Sequence, residues 1–221
     1  MVRGFTLIEL LVAIGVMALM AGLSWRGLDG MVRAQTQIQQ RADALLTLQA
    51  GLAQWAADLD ALVELPRADA LDWDGRGLRM TRRSTAAPGD GVLVVAWSSR
   101  SVDGVNQWLR WQSPALYTRA ELQAAWAKAA QWAQNPGDDE KKYEVRITPL
   151  VQWQIFYYRG NAWSNPLSSD GAVAPGTVAP GASGQALADG VRLVLTLPDG
   201  EAIPGVLTRD WVRPVLGGSK S

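Results

Sequence analysis

Cysteine and histidine are both absent from the 221 residues, and the chain carries 21 Lys and Arg against 21 Asp and Glu. Without cysteine there can be no disulfide. A chain exported to an oxidising compartment can do without one, so this absence does not fix the compartment. The loss of histidine as well removes most nucleophile–base pairs, the usual zinc sites and the commonest acid–base group. A formal net charge of zero argues against bulk nucleic-acid binding, which uses a basic surface to release counterions. No internal repeat is visible. The glycine-bearing stretch Asp74-Gly75-Arg76-Gly77 lacks the Lys and Ser/Thr of a P-loop and reads as a turn.

The chain is rich in tryptophan, with 11 residues, and 48% of it is apolar. That is enough for one well-packed domain plus appendages. Tryptophan suits cores and interfaces where its N–H finds an acceptor.

A long apolar run occupies residues 5–23, close to the roughly 20 residues that cross a bilayer core. Glu9 interrupts it. A carboxylate there costs on the order of 2.5–3.5 kcal/mol on insertion scales, so a partner is expected for it. The run fits a secretory signal poorly, because its charged leader is too short, its apolar part too long, and no small-residue cleavage site follows Leu23. Trp25 and Arg26 suit the outer interface of a span. Arg3 on one side faces Arg26 and Arg33 on the other, so charge does not settle the orientation.

Further on, Leu45, Leu48, Leu52, Trp55, Leu59 and Leu62 recur at steps of three and four. This is one apolar helix stripe, with Gln39, Gln40, Arg41, Gln54 and Asp58 outside it. The spacing predicts a helix from Phe5 to about Leu62, closed by Pro66. Gly22, Gly27 and Gly30, each costing up to about 1 kcal/mol against Ala, are expected to bend or locally melt it. Asp58 and Asp60, two apart on a helix, diverge and make no acid–base couple.

Strand signals follow. Residues 71–80 read as a hairpin about Asp74-Gly75, 92–97 as a buried strand, 106–112 as an alternating one, and 143–148, 151–158 and 191–197 as further strands. Residues 207–212 are expected at an edge. The Ala-rich residues 120–133 read as an inserted helix, with Trp126 and Trp132 packing it down or meeting a partner. Residues 168–184 form a Gly/Ala/Pro/Ser linker, and the tail beyond 217 is expected to fray. The run Asp138-Asp139-Glu140 reads as a solvated turn, with a calcium loop as the alternative; hard cations take six to eight oxygens and this run offers a few.

RGFTLIELLVAI at the start of the chain resembles the signal of type IV prepilins and type II secretion pseudopilins: a short basic leader ending in Gly, a large apolar residue, then Glu at the fifth position of the mature chain. The resemblance implies cleavage between Gly4 and Phe5, N-methylation of Phe5, and a subunit-assembly role for Glu9, meeting the methylated amino terminus of a neighbouring subunit. Residues 45–64, 151–165 and 187–200 are similar to J-type minor pseudopilins, although Ala188 stands where that family has Pro. Arg119 to Lys142 looks like an insertion with no counterpart.

The expected fold class is α+β and pilin-like: a long N-terminal transmembrane and amphipathic helix packed on antiparallel β-sheet subdomains. The expected parts are a leader (1–4), a membrane half-helix (5–24), a periplasmic half-helix (25–64) and a β-rich globular domain (67–216). The resemblance implies a structural, non-enzymatic role in the pseudopilus tip, which initiates pseudopilus assembly and export of folded proteins. It implies a single-pass inner-membrane protein with its C-terminal domain in the periplasm. Implied partners are the I-type and K-type minor pseudopilins, by extension the H type, the major pseudopilin, prepilin peptidase and the inner membrane, with no nucleic acid. Contacts are expected through the membrane half of the helix and through exposed Trp-bearing strands. No catalytic residue, metal site or cofactor is assigned. The alternatives are a W-type minor pilin of a type IV pilus or DNA-uptake filament and, from another class, a membrane-anchored periplasmic enzyme.

Overall fold

A computed structural model describes residues 6–84, 89, 91–167 and 187–214. The expected linker at 168–184, the tail beyond 217, and Gly4 and Phe5 lie outside the described residues. The chain divides into two units, residues 1–44 and 45–221. The longest element, α1 (Leu7–Asp60), contributes to both.

In the first unit, residues 7–43 of α1 are exposed without exception. An 18-residue window has a mean hydropathy of 2.2 and no part of it is buried. By length and composition this helix can cross a membrane. The local melting expected at Gly22, Gly27 and Gly30 does not occur, since the helix runs through all three. Helix propagation is cooperative, and each glycine sits among good helix formers such as Leu, Ala, Met and Arg.

The second unit is α+β. Its first sheet has the order β1-β2-β3-β4-β5, from β1 (Leu71–Trp73), β2 (Gly77–Arg83), β3 (Val92–Val102), β4 (Val105–Gln112) and β5 (Glu144–Pro149). The second has the order β7-β6-β8-β9, from β6 (Gln152–Arg159), β7 (Ala162–Ser164), β8 (Gly190–Leu197) and β9 (Gly205–Val212). Every described pairing is antiparallel. Between β4 and β5 lie α2 (Arg119–Gln134) and the single turn α3 (Asp138–Lys141). The run read as a solvated turn is thus helical. Asp138 pairs with Lys141, Asp139 with Lys142, and Glu140 accepts from the Gly137 N–H.

Alternation in the first sheet explains its sequence. Leu78, Met80, Val95, Trp97 and Trp108 face Leu48, Trp55 and Leu59 of α1 and share one core with Ile155, Leu193 and Leu195 of the second sheet. Val94, Ala96, Leu109 and Trp111 face the other way, onto Leu122, Ala125, Ala129 and Trp132 of α2. A strand buried on both faces reads as a continuous apolar run, which is what Val92 to Trp97 shows. The strand continues to Val102 because Asp103 (φ 54°) and Gly104 (φ 82°) form a two-residue turn between the paired Val102 and Val105; positive φ at both positions is the hairpin geometry that follows strand twist. Thr118 starts α2 with a capping box shared with Glu121.

The long helix stops at Asp60, ahead of Leu62 and well ahead of Pro66. Strand β2 captures the chain first: Val63 N–H donates to Thr81 O at 3.1 Å and Arg83 N–H to Ala61 O at 2.9 Å. At Gly51 the helix comes so close to β5 that an added Cβ would lie 2.3 Å from Ile147 Cγ2. The expected exposed Trp-bearing strands are not found. Trp25 is 75% exposed, and every other tryptophan is buried or half-buried. An aromatic strand face with a second helix or sheet against it has its area spent inside the fold.

Candidate functional site

Two places in the chain carry charge where the surroundings are apolar. The first is the start of α1. Thr6 precedes the helix, and its N–H and hydroxyl both donate to Glu9 Oε2, at 3.0 and 2.8 Å. Glu9 sits in the first helical turn, where unsatisfied N–H groups and the helix dipole favour an anion. The carboxylate therefore has a partner within its own chain. It stands among exposed Leu7, Ile8, Leu10 and Leu11, and none of these described residues is packed over by another part of the chain. Further along, Asp29 and Arg33 pair across one helical turn at 2.9 Å, and exposed Trp25 marks the end of the apolar run.

The second place is Asp58, expected outside the apolar stripe and found fully buried. Its carboxylate accepts from Gln54 Nε2 at 2.8 Å, Trp97 Nε1 at 2.9 Å, and Arg110 Nε and Nη2, both at 2.8 Å. Arg82 Nη1 completes the set. One carboxylate thus joins α1 to β2, β3 and β4. Arg110 also donates to Gln112 Oε1 at 2.7 Å and lies 5.9 Å from the centre of the Trp97 ring. Removing one partner of a buried pair leaves a charge in low dielectric and costs about 3–5 kcal/mol. Two residues on, Asp60 takes the Trp211 indole N–H at 2.8 Å, and Glu64 pairs with Arg213. The two aspartates diverge as their spacing requires, one to each sheet.

The sequence held a signal for Asp58. Arg82 follows Leu78 and Met80 on the same strand face, and Arg110 follows Trp108. Cations at inward positions call for a buried anion.

Trp126 and Trp132 pack rather than protrude. Trp126 donates to Thr81 Oγ1 at 2.9 Å, and Trp132, fully buried, donates to Glu144 at 2.8 Å. No cluster of three or more acidic residues among the described residues is placed to hold a metal ion.

Comparison with known proteins adds a short, definite match. The family model described as the prokaryotic N-terminal methylation motif matches residues 1–25, which include Gly4, Phe5 and Glu9. No curated protein matches the chain. Among solved structures, the chain is similar to one from the crystal structure of the GspK-GspI-GspJ complex of the enterotoxigenic Escherichia coli Type 2 Secretion System. The identity is 19% and the TM-score 0.46, over 77% of this chain and 98% of that one. The first 25 residues of this α+β chain carry a prokaryotic N-terminal methylation motif.

Proposed function

We propose that the chain is a minor pseudopilin of a type II secretion system, of the J type, anchored in the inner membrane with its second unit in the periplasm. The observation that carries this reading is the methylation motif over residues 1–25, set at the head of a helix whose apolar window is wholly unburied. The J type rests on the resemblance of residues 45–64, 151–165 and 187–200. In this reading prepilin peptidase cuts between Gly4 and Phe5, and Phe5 is then methylated. Glu9 exchanges its two Thr6 hydrogen bonds for the ammonium of a neighbouring subunit, a pairing that makes a carboxylate in lipid far less costly. The other minor pseudopilins are the partners, and the role is to start filament assembly.

The test is a clean deletion of the gene, complemented with the native chain or with Glu9→Ala, scored for exoprotein release and for surface pili with twitching. Lost release with normal pili is expected, restored by the native chain. The Glu9→Ala chain is expected to be inserted and cleaved but to restore release poorly. Lost pili with normal release would replace this reading with the W-type minor pilin.

A further inference from the structure

Past the apolar run, residues 26–43 of α1 carry an ordered surface that no described residue covers. Leu28, Met31, Gln35, Ile38 and Ala42 follow one another at steps of three and four, which sets them in one row along the helix. Leu28, Met31 and Ile38 are 60%, 72% and 68% exposed. The charged side chains of the segment, Arg26, Asp29, Arg33, Arg41 and Asp43, all fall off this row. An apolar row with its charges set aside is the pattern of a helix that pairs with another helix. The same steps lead back through Ser24, Ala21 and Met17 to Leu7 and meet no charged residue. The row therefore enters the apolar run unbroken, and Glu9 lies off it.

The middle of the row narrows what covers it. The Gln35 side chain makes no hydrogen bond among the described residues, whereas Gln39 beside it donates to Asp43 at 3.0 Å. A bare amide in the centre of an apolar row suits lipid poorly and suits a helix that offers a polar group at the same level. An amide holds both donors and an acceptor, so across a twofold axis one glutamine answers another. Two copies anchored by the same apolar run lie parallel and at the same depth, which sets each Gln35 opposite its counterpart. In heptad terms Gln35 takes an a position, where a single polar residue fixes register and the number of strands at some cost in stability.

We propose that residues 28–42 pair with the same residues of a second copy of this chain, in a parallel two-helix seam closed at its centre by a Gln35–Gln35 amide pair. The row is short for two chains free in water, but anchoring both in one membrane raises their effective concentration. Because Glu9 lies off the row, the dimer leaves it open to another subunit's amino terminus. The inference rests on the membrane-anchored part of the reading above and not on which machine the chain serves.

The chain has no cysteine, so single introduced cysteines report on the seam without background. Full-length Leu28→Cys, Ile38→Cys, Gln37→Cys and Gln40→Cys are each expressed in a bacterial host without pseudopilins or pilins, and the membranes are oxidised. Facing row positions of a parallel pair come within disulfide reach. A linked dimer is expected from Leu28→Cys and Ile38→Cys, and its loss from Gln37→Cys and Gln40→Cys, which point away from the row. Adding Gln35→Glu to Ile38→Cys sets two carboxylates face to face and is expected to abolish the dimer; adding Gln40→Glu is expected to keep it. Linkage at all four positions, or at none in chain recovered from the membrane, overturns the proposal and leaves the anchored reading standing. Linkage at Ile38→Cys that survives Gln35→Glu overturns it as well. A row cross-link formed only to another protein, when candidate minor pseudopilins are co-expressed, gives the row to that protein and overturns the second copy. Chain absent from the membrane fraction overturns both the dimer and the anchored reading.

Discussion

Residues 7–43 and 45–60 belong to one helix, yet its two parts treat apolar side chains in opposite ways. In the first part Leu7, Ile8, Leu19 and Leu23 are all more than two-thirds exposed. In the second, Leu48, Trp55 and Leu59 are buried, and so is the charged Asp58. Up to Leu23 the first part carries its apolar groups on every side, as lipid permits. The second keeps them to a stripe, as a helix with one packed face must. Glu9 and Asp58 mark the contrast. Each is a carboxylate in apolar company, but Glu9 has two hydrogen bonds from a neighbouring residue, while Asp58 is held by three strands and its own helix.

The sharpest way to break the contrast is Asp58→Ala. It strands Arg82 and Arg110 without their anion and is expected to cost about 3–5 kcal/mol, read as a lowered urea midpoint of the full chain in detergent. The mirror-image change is Ile14→Asp in the first part. It is expected to reduce membrane retention on fractionation, by the equivalent of roughly 2.5–3.5 kcal/mol, and to leave that urea midpoint where it was. Next comes Gly51→Val, which pushes a side chain into Ile147. Overpacking of this kind costs about 1–3 kcal/mol, and an unchanged midpoint would mean that α1 is free to move off β5.

The smallest effect is expected from acid. Hydrogen bonds from the Arg192 guanidinium hold the Asp210 carboxyl below its ordinary range. A carboxyl with a depressed folded-state pKa stabilises above the unfolded value, and that contribution is lost as pH falls through the folded one. Arg192→Gln is therefore expected to flatten slightly the acid limb of the stability curve. The pair is about a third exposed or more, so solvent screens most of the gain.

Legibility in the sequence followed the same divide. The apolar run, its Glu9 and the double-faced strand at Val92 were readable because hydrophobic period and length alone decide them. The ends of elements were not. Asp60 terminates α1 because β2 pairs with the residues that follow, a contact some 20 positions away that no local signal records. Strand β7, three residues long, is too short to show a period. Asp58 was missed because a charged residue beside a stripe reads as solvated until its cations are traced to inward strand positions. For Gly4 and Phe5 the motif remains a sequence matter, with Glu9 and Thr6 the nearest described chemistry.

The carboxylate of Asp58 also works as a logical conjunction in time. Gln54 donates from the same helix, but the other donors arrive 24, 39 and 52 residues later in the chain, from Arg82, Trp97 and Arg110. A chain that has placed one or two of them holds a desolvated, half-answered charge, which is worse than holding none. Partial docking of the helix is thus penalised and full docking rewarded, so the second unit is expected to pass from open to closed in a single step.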